Sequence, residues 1–145
     1  MKAIIQRVRS ASVSVEGKIT GSIGRGMVIL VGISKNETEE NVNTVSEKCS
    51  QLRIFDDDNG KMNLSLKNID GEALIISQFT LYADTKKGRR PSFSKAAPYK
   101  EAIKFYKQFI NRFKEKGIHT ETGQFGSKML VEIHNDGPVT FILES

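Results

Sequence analysis

Two histidines and one cysteine in 145 residues leave little of the usual catalytic and metal-binding equipment. The lone Cys49 excludes an internal disulfide and suits a reducing compartment. A metal centre needs several His, Cys, Asp or Glu side chains to converge, and no spacing here resembles a zinc or di-metal motif. Neither a metal nor a cofactor is therefore expected. No apolar run is long enough to span a bilayer, so no membrane partner is expected. The opening Met1-Lys2-Ala3-Ile4-Ile5-Gln6-Arg7 reaches charge too soon for a signal peptide, and the expected location is the cytoplasm. There is no Gly-x-Ser-x-Gly elbow to expose a nucleophile, and no glycine-rich loop leading into a helix to cradle a nucleotide. Repeats, low-complexity tracts and linkers are also missing.

What is present fits one domain spanning residues 1–145, long enough to bury a core. Lys and Arg outnumber Asp and Glu, 22 to 17, a modest excess that permits a polyanionic partner. The distribution says more than the sum. Lys86, Lys87, Arg89, Arg90 and Lys95 cluster in one Gly/Pro/Ser-containing segment. Such a segment is either a solvated loop or a loop that follows a nucleic-acid backbone through its phosphates.

The hydrophobic pattern gives a coarse fold. Residues 2–9 read as a strand, and Val13 and Val15 alternate with Ser12 and Ser14 in a period of two. Glu16-Gly17-Lys18 signals a hairpin returning through Ile19 to Ile23, and Gly24-Arg25-Gly26 turns again. Met27 to Ile33 is almost wholly apolar, as expected of a strand covered on both faces. Asn36 followed by Glu39 resembles a helix start, and Val42, Val45, Cys49 and Leu52 then share one face, which places Cys49 in the core. Asp56 to Gly60 reads as a solvated acidic turn without the alternating ligands of a calcium loop. Residues 73–82 read as a further apolar strand. Pro98 opens a second helix with Ala102, Tyr106, Phe109, Ile110 and Phe113 as its buried stripe, and Gly117 closes it. Strands near 129–134 and 139–143 are joined through Asn-Asp-Gly-Pro. The expected class is α+β, with a mixed, largely antiparallel, barrel-like sheet and two main helices.

Chemistry must come from what remains. Ser77-Gln78-Phe79-Thr80 places two hydroxyls and a run of backbone N–H groups where an apolar strand ends. N–H groups leaving a sheet can converge on a developing oxyanion. From residue types alone the signal is weak, because a Ser/Thr pair at a strand terminus is usually structural and no adjacent base is visible. His134 alternates with Ile133 on a strand, and His119 follows the helix-closing Gly117 into a loop. Gly137-Pro138 reads by default as a trans turn. A cis bond there would aim successive carbonyls outward, where they could accept hydrogen bonds from an ammonium group.

Ser77-Gln78-Phe79-Thr80-Leu81-Tyr82-Ala83 resembles one signature of the D-aminoacyl-tRNA deacylases, and Asn135-Asp136-Gly137-Pro138-Val139-Thr140 resembles their second. The likeness runs nearly end to end. It takes in Arg7-Val8, Ala11-Ser12-Val13, Val31-Gly32-Ile33, Leu52-Arg53-Ile54-Phe55, Gly60-Lys61-Met62-Asn63 and Arg90-Pro91-Ser92-Phe93. One departure is Arg89, where Asn often precedes the arginine matched by Arg90.

The resemblance implies a homodimer acting on the aminoacylated 3′ end of tRNA. It implies a cis Gly137-Pro138 bond that enters the partner's site and completes a pocket with Ser77, Gln78, Phe79 and Thr80. Arg7 would hold the inserted segment, and Phe125, within Gly123-Gln124-Phe125-Gly126, would meet the terminal adenosine. The implied reaction is hydrolysis of the ester of a D-amino acid, with Phe79 and Thr80 N–H groups on the oxyanion and the tRNA 2′-hydroxyl assisting the water. L side chains would be rejected by main chain, and glycine mischarged on tRNA(Ala) would be accepted. Two rival readings stay open: a non-catalytic tRNA-binding module using Lys86 to Lys95 and Phe125, and an esterase using Thr80 or Ser77 covalently.

Overall fold

The computed structural model describes residues 1–145. The alternation at the start of the chain forms one long strand, β1 (Lys2–Val15), in place of the two pieces expected. Its phase slips once. Ala3 and Ile5 bury against the helices, whereas Val8, Ala11 and Val13 bury in a second, smaller apolar cluster. Arg7 and Val8 are both buried, so the slip falls there. Strand β2 (Lys18–Ile23) returns along the second half of β1 through a turn with positive φ at Glu16 and Gly17, and β3 (Gly26–Gly32) pairs with the first half, Lys2 to Val8. Met27, Val28 and Ile29 are fully buried, which agrees with the expected strand covered on both faces.

Helix α1 (Glu39–Gln51) starts at Thr38, whose hydroxyl accepts from Asn41 N–H at 3.2 Å. The start expected at Asn36 is thus displaced by two residues, because only the Thr38 side chain reaches an unpaired N–H of the first turn. Val42, Val45 and Cys49 are buried as expected, while Leu52 lies just past the last turn and is only half-buried. Burial pushes the Cys49 thiol up to about 12, which leaves it protonated and inert. Two short strands, β4 (Phe55–Asp56) and β5 (Met62–Leu64), flank the acidic turn.

Strand β6 (Glu72–Ser77) pairs with β3 in parallel. Helix α2 (Tyr99–Glu115) follows, with Pro98 at its cap and Tyr106, Phe109, Ile110 and Phe113 buried. Gly117, at φ +75°, closes it. A short strand missed by the pattern, β7 (Thr120–Thr122), adds to β6 in parallel, and β8 (Leu130–Glu144) runs antiparallel along β1. The main sheet has six strands in the order β2-β1-β3-β6-β7, with β8 on β1. It rolls until its far edges nearly meet. A Cβ on Gly21 in β2 would lie 2.9 Å from the Thr122 carbonyl oxygen in β7, so only glycine permits that approach. Both helices cover one face. The fold is single-domain α+β with a nearly closed barrel-like sheet, and no helix is long and apolar enough to cross a membrane.

Candidate active site

The ladder of β3 and β6 ends at the Val31–Ser77 pair, and Gln78 N–H still donates to Val31 O at 2.8 Å. The strand expected over residues 73–82 stops here. Strand β7 reaches only Ile75, and β3 ends at Gly32, so no neighbour offers further ladder bonds. The backbone satisfies itself locally in a single 3-10 turn, Phe79–Tyr82, with Leu81 N–H on Gln78 O (3.3 Å) and Ala83 N–H on Thr80 O (3.0 Å).

That turn leaves donors free. Phe79 and Thr80 are its first two residues, so their N–H groups have no acceptor one turn earlier. The Gln78 side chain does not cap them; its amide donates to Thr80 Oγ1 at 2.5 Å. Beside the turn lies a cleft of about 270 Å³. Val31, Ile33, Ser77, Gln78 and Phe79 line one side, and Ala96, Ala97, Tyr99, Ala102, Phe125 and Gly126 the other. Phe79 is 58% exposed and meets Phe93 edge-on at 5.0 Å. Phe125 is half-buried, with Tyr99 edge-on at 5.1 Å and Tyr106 at 5.3 Å. The buried Tyr106 hydroxyl donates to Ile75 O at 2.7 Å, and burial raises its pKa, so it stays protonated and ties α2 to the strand that carries the site.

The structure therefore brings Ser77, Gln78, Phe79 and Phe125 to one cleft, while Thr80, next along the turn, is not among its lining residues. No Asp, Glu, His, Lys or Arg lines it. The sequence reading missed Tyr99, Ala96, Ala97 and Gly126. Only Tyr99 left a signal: an aromatic at the first position of α2, seven residues before Tyr106 on the same helical face.

Gly137-Pro138 is elsewhere. It does not line the cleft of its own chain, and its peptide bond is cis, against the default reading of the residues and in agreement with the resemblance. The expected pair of C-terminal strands is one continuous element whose pairing is interrupted. Gln6 faces Thr140 and Val8 faces Asn135, so the four residues Asp136–Val139 bulge out opposite Arg7 alone. Gly137 has φ +136°, and a Cβ there would lie 2.6 Å from Val139 Cγ2. Arg7, only 9% exposed, clamps the bulge: Nε donates to Asp136 O at 3.0 Å, and Nη1 donates to Ile54 O (2.9 Å) and Asp56 Oδ1 (3.1 Å). Asn135 Oδ1 accepts from Val139 N–H at 2.8 Å and closes the loop.

The basic segment is an exposed loop pinned at its base by the reciprocal Asp84–Ser92 backbone bonds (2.7 and 2.9 Å). Lys95 pairs with Asp84 at 3.8 Å, whereas Lys86, Lys87, Arg89 and Arg90 have no carboxylate partner. His134 lies exposed on β8 with Ser10 Oγ 3.1 Å from Nδ1, and His119 faces Glu121 at 3.3 Å; neither lines the cleft.

A rolled sheet covered by two helices, with an apolar cleft where a strand breaks into a 3-10 turn, defines a class of fold and site that known proteins share. The family model for D-Tyr-tRNA(Tyr) deacylase matches residues 4–144. A D-aminoacyl-tRNA deacylase of Thermosipho africanus is 53% identical over 145 residues, covering 100% of this chain and 97% of that protein. One of Clostridium botulinum is 54% identical over the same length, again covering 100% and 97%. Among solved structures, a c-Myc DNA Unwinding Element Binding Protein is 40% identical with a TM-score of 0.94, covering 100% of this chain and 99% of that chain. A probable eukaryotic D-amino acid tRNA deacylase shares the fold with a TM-score of 0.84 at 16% identity, covering 98% and 97%. The chain belongs to the D-Tyr-tRNA(Tyr) deacylase family.

Proposed function

We propose that this chain hydrolyses the ester of D-aminoacyl-tRNA with main-chain groups in place of a catalytic side chain. It is a hydrolase of the aminoacyl-tRNA ester bond, and its geometry supports the finer assignments. The observation that carries them is the pair of free N–H groups of Phe79 and Thr80 at the mouth of a cleft that holds no general base. An aminoacyl ester is already activated, so orientation and oxyanion binding can suffice. The tRNA 2′-hydroxyl assists the attacking water. The terminal adenosine enters the apolar cleft against Phe125, and Lys86, Lys87, Arg89 and Arg90 meet phosphates.

Chirality is decided by exclusion across a homodimer. Gly137 and Pro138 are exposed and clear of their own cleft, held outward by Arg7. Strand β8 pairs with β1 alone, leaving an open edge, and Leu130 and Ile142 are each 66% exposed. Such an edge calls for a cover, and a second copy supplies one. The partner's Gly137-Pro138 carbonyls then hold the substrate ammonium and its main chain blocks an L side chain. D side chains point to open space, and glycine on tRNA(Ala) passes. A cytoplasmic location follows from this substrate.

Deacylation of D-Tyr-tRNA, L-Tyr-tRNA and Gly-tRNA, compared at equal enzyme, tests the assignment: the first and third are cleaved and the second is spared. Equal cleavage of both enantiomers would sink it. A D-aminoacyl-tRNA ending in 2′-deoxyadenosine is expected to be a poor substrate, and normal turnover would remove the assisted mechanism. The covalent alternative has a weaker basis, because the side-chain contact of Thr80 Oγ1 is the Gln78 amide, a donor that cannot take its proton.

A further inference from the structure

Phe125 is a partition. On one side it lines the apolar cleft; on the other it lines a separate groove of about 360 Å³. Tyr99 stands against it on the cleft side and Tyr106 on the groove side. The groove is otherwise built mostly on α2, with Lys107, Asn111 and Lys114 among its walls, Thr122 and Gly123 beside them and no acidic residue in it. The three α2 positions lie on one helical stripe at spacings of four, three and seven residues. Lys100, seven residues before Lys107, continues the same line. Lys100, Lys107 and Lys114 are all exposed, and none has a carboxylate within ion-pair distance, unlike Lys104, which turns to Glu39 at 3.0 Å. At about 1.5 Å per residue the three ammonium positions repeat every ~10 Å along the helix. A solvated face would ordinarily intersperse both signs. This one is a single-sign track that starts where the cleft ends.

We propose that this groove is a second tRNA subsite, which receives the sugar–phosphate backbone of the nucleotides preceding the terminal adenosine. The inference rests on the reading of the cleft as the terminal adenosine's place. Charge complementarity selects a polyanion, and continuity across one aromatic side chain selects the single-stranded 3′ tail, whose next phosphates must leave the cleft beside Phe125. Asn111 supplies an amide for a ribose hydroxyl or phosphate oxygen. The lysines recognise backbone and carry no base specificity, which suits a protein that must accept tRNAs of many sequences.

The test uses the full chain and direct binding, so that it does not depend on turnover. Uncharged tRNA and the ligands adenosine 5′-monophosphate and the trinucleotide CCA are titrated against parent, Lys107→Glu/Lys114→Glu and the milder Lys107→Gln/Lys114→Gln. The parent is expected to bind CCA more tightly than the mononucleotide, and both double variants to lose that gain. Affinity for tRNA is expected to fall about tenfold or more in the charge-reversed protein near 0.1 M salt. In the glutamine protein the log–log salt slope should be shallower by about 1.4, two single-strand phosphate contacts at ~0.7 each. If CCA gains nothing over the mononucleotide in the parent, or both variants keep the parent's slope, the subsite is refuted. If binding behaves as expected but D-aminoacyl-tRNA is not cleaved, the deacylase reading falls and the tail subsite stands.

Discussion

The two signature segments are held by opposite means. Ser77–Thr80 emerges from β6, a strand whose residues Ala73 to Ile76 are buried and of which Ala73 to Ile75 are paired on both sides. Its position is set by apolar packing and ladder bonds, with Tyr106 as a single polar tie. Asp136–Val139 bulges from an open-edged strand and is positioned by charge: Arg7 joins it to Ile54 and Asp56, at the start of the separate two-stranded β4–β5 sheet. Apolar packing is tolerant and spread over many contacts. A buried guanidinium fork is directional and concentrated in one residue. The Phe79–Tyr82 turn should therefore resist single substitutions that the bulge cannot survive.

Arg7→Ala is the strongest challenge to that contrast. It leaves Ile54 O and Asp136 O without their donor and should cost about 3 kcal/mol in chemical denaturation. By misplacing Gly137-Pro138 it should also lower kcat/KM by about a hundredfold. Arg7→Lys should recover little activity, because an ammonium cannot bridge three acceptors in a plane. Near-parental activity in Arg7→Ala would erase the distinction between the regions.

Thr80→Ala comes next. Main-chain donors survive the change, so the fall in kcat should stay under about tenfold, or roughly 1.4 kcal/mol of barrier. A loss of a thousandfold would give the hydroxyl a chemical role and restore the covalent reading. Tyr106→Phe removes the one polar tie beneath the turn. It should cost about 1 kcal/mol in stability with little change in kcat, since packing carries the rest.

The smallest effect concerns acid. Asp57 sits in the turn between β4 and β5, beside the Arg7 acceptors, and accepts from Lys61 and Asn59 N–H and from the Asn63 amide (2.9–3.2 Å). Those hydrogen bonds, with the Lys61 N–H foremost, hold its carboxyl below the ordinary 3.8. A carboxylate depressed in the folded state stabilises above its unfolded pKa, and that contribution is lost as pH falls through the folded value. Thermal unfolding of Asp57→Asn should match the parent's pH dependence above about pH 4 and lose less stability below it. An unchanged acid limb would detach this turn from the clamp.

Much of this was legible in the chain. Period-two alternation located β1, a hairpin turn signal located β2, a continuous apolar run located β3, and the stripe Tyr106–Phe113 located α2. Each of these signals follows from which face a residue must bury. The Phe79–Tyr82 turn was misread as strand because Leu81 and Tyr82 continue the apolar pattern. Nothing local announces that β3 and β7 end where they do. The residue pattern alone did not show the clamp, which came only from the family likeness: Arg7 in a strand looks like a solvent-facing charge until the phase slip at Arg7–Val8 turns it inward.

By itself the sequence determined the class of fold, the burial of Cys49 and the two segments that carry the family likeness, because hydrophobic periodicity and local motifs are written in neighbouring residues. Only the tertiary structure decided that Phe79 and Thr80 present unpaired N–H groups, that Phe125 divides two cavities and that four residues bulge opposite Arg7. Those facts depend on where other strands end and on which distant carbonyls lie within hydrogen-bonding reach, and such long-range pairings leave no local mark.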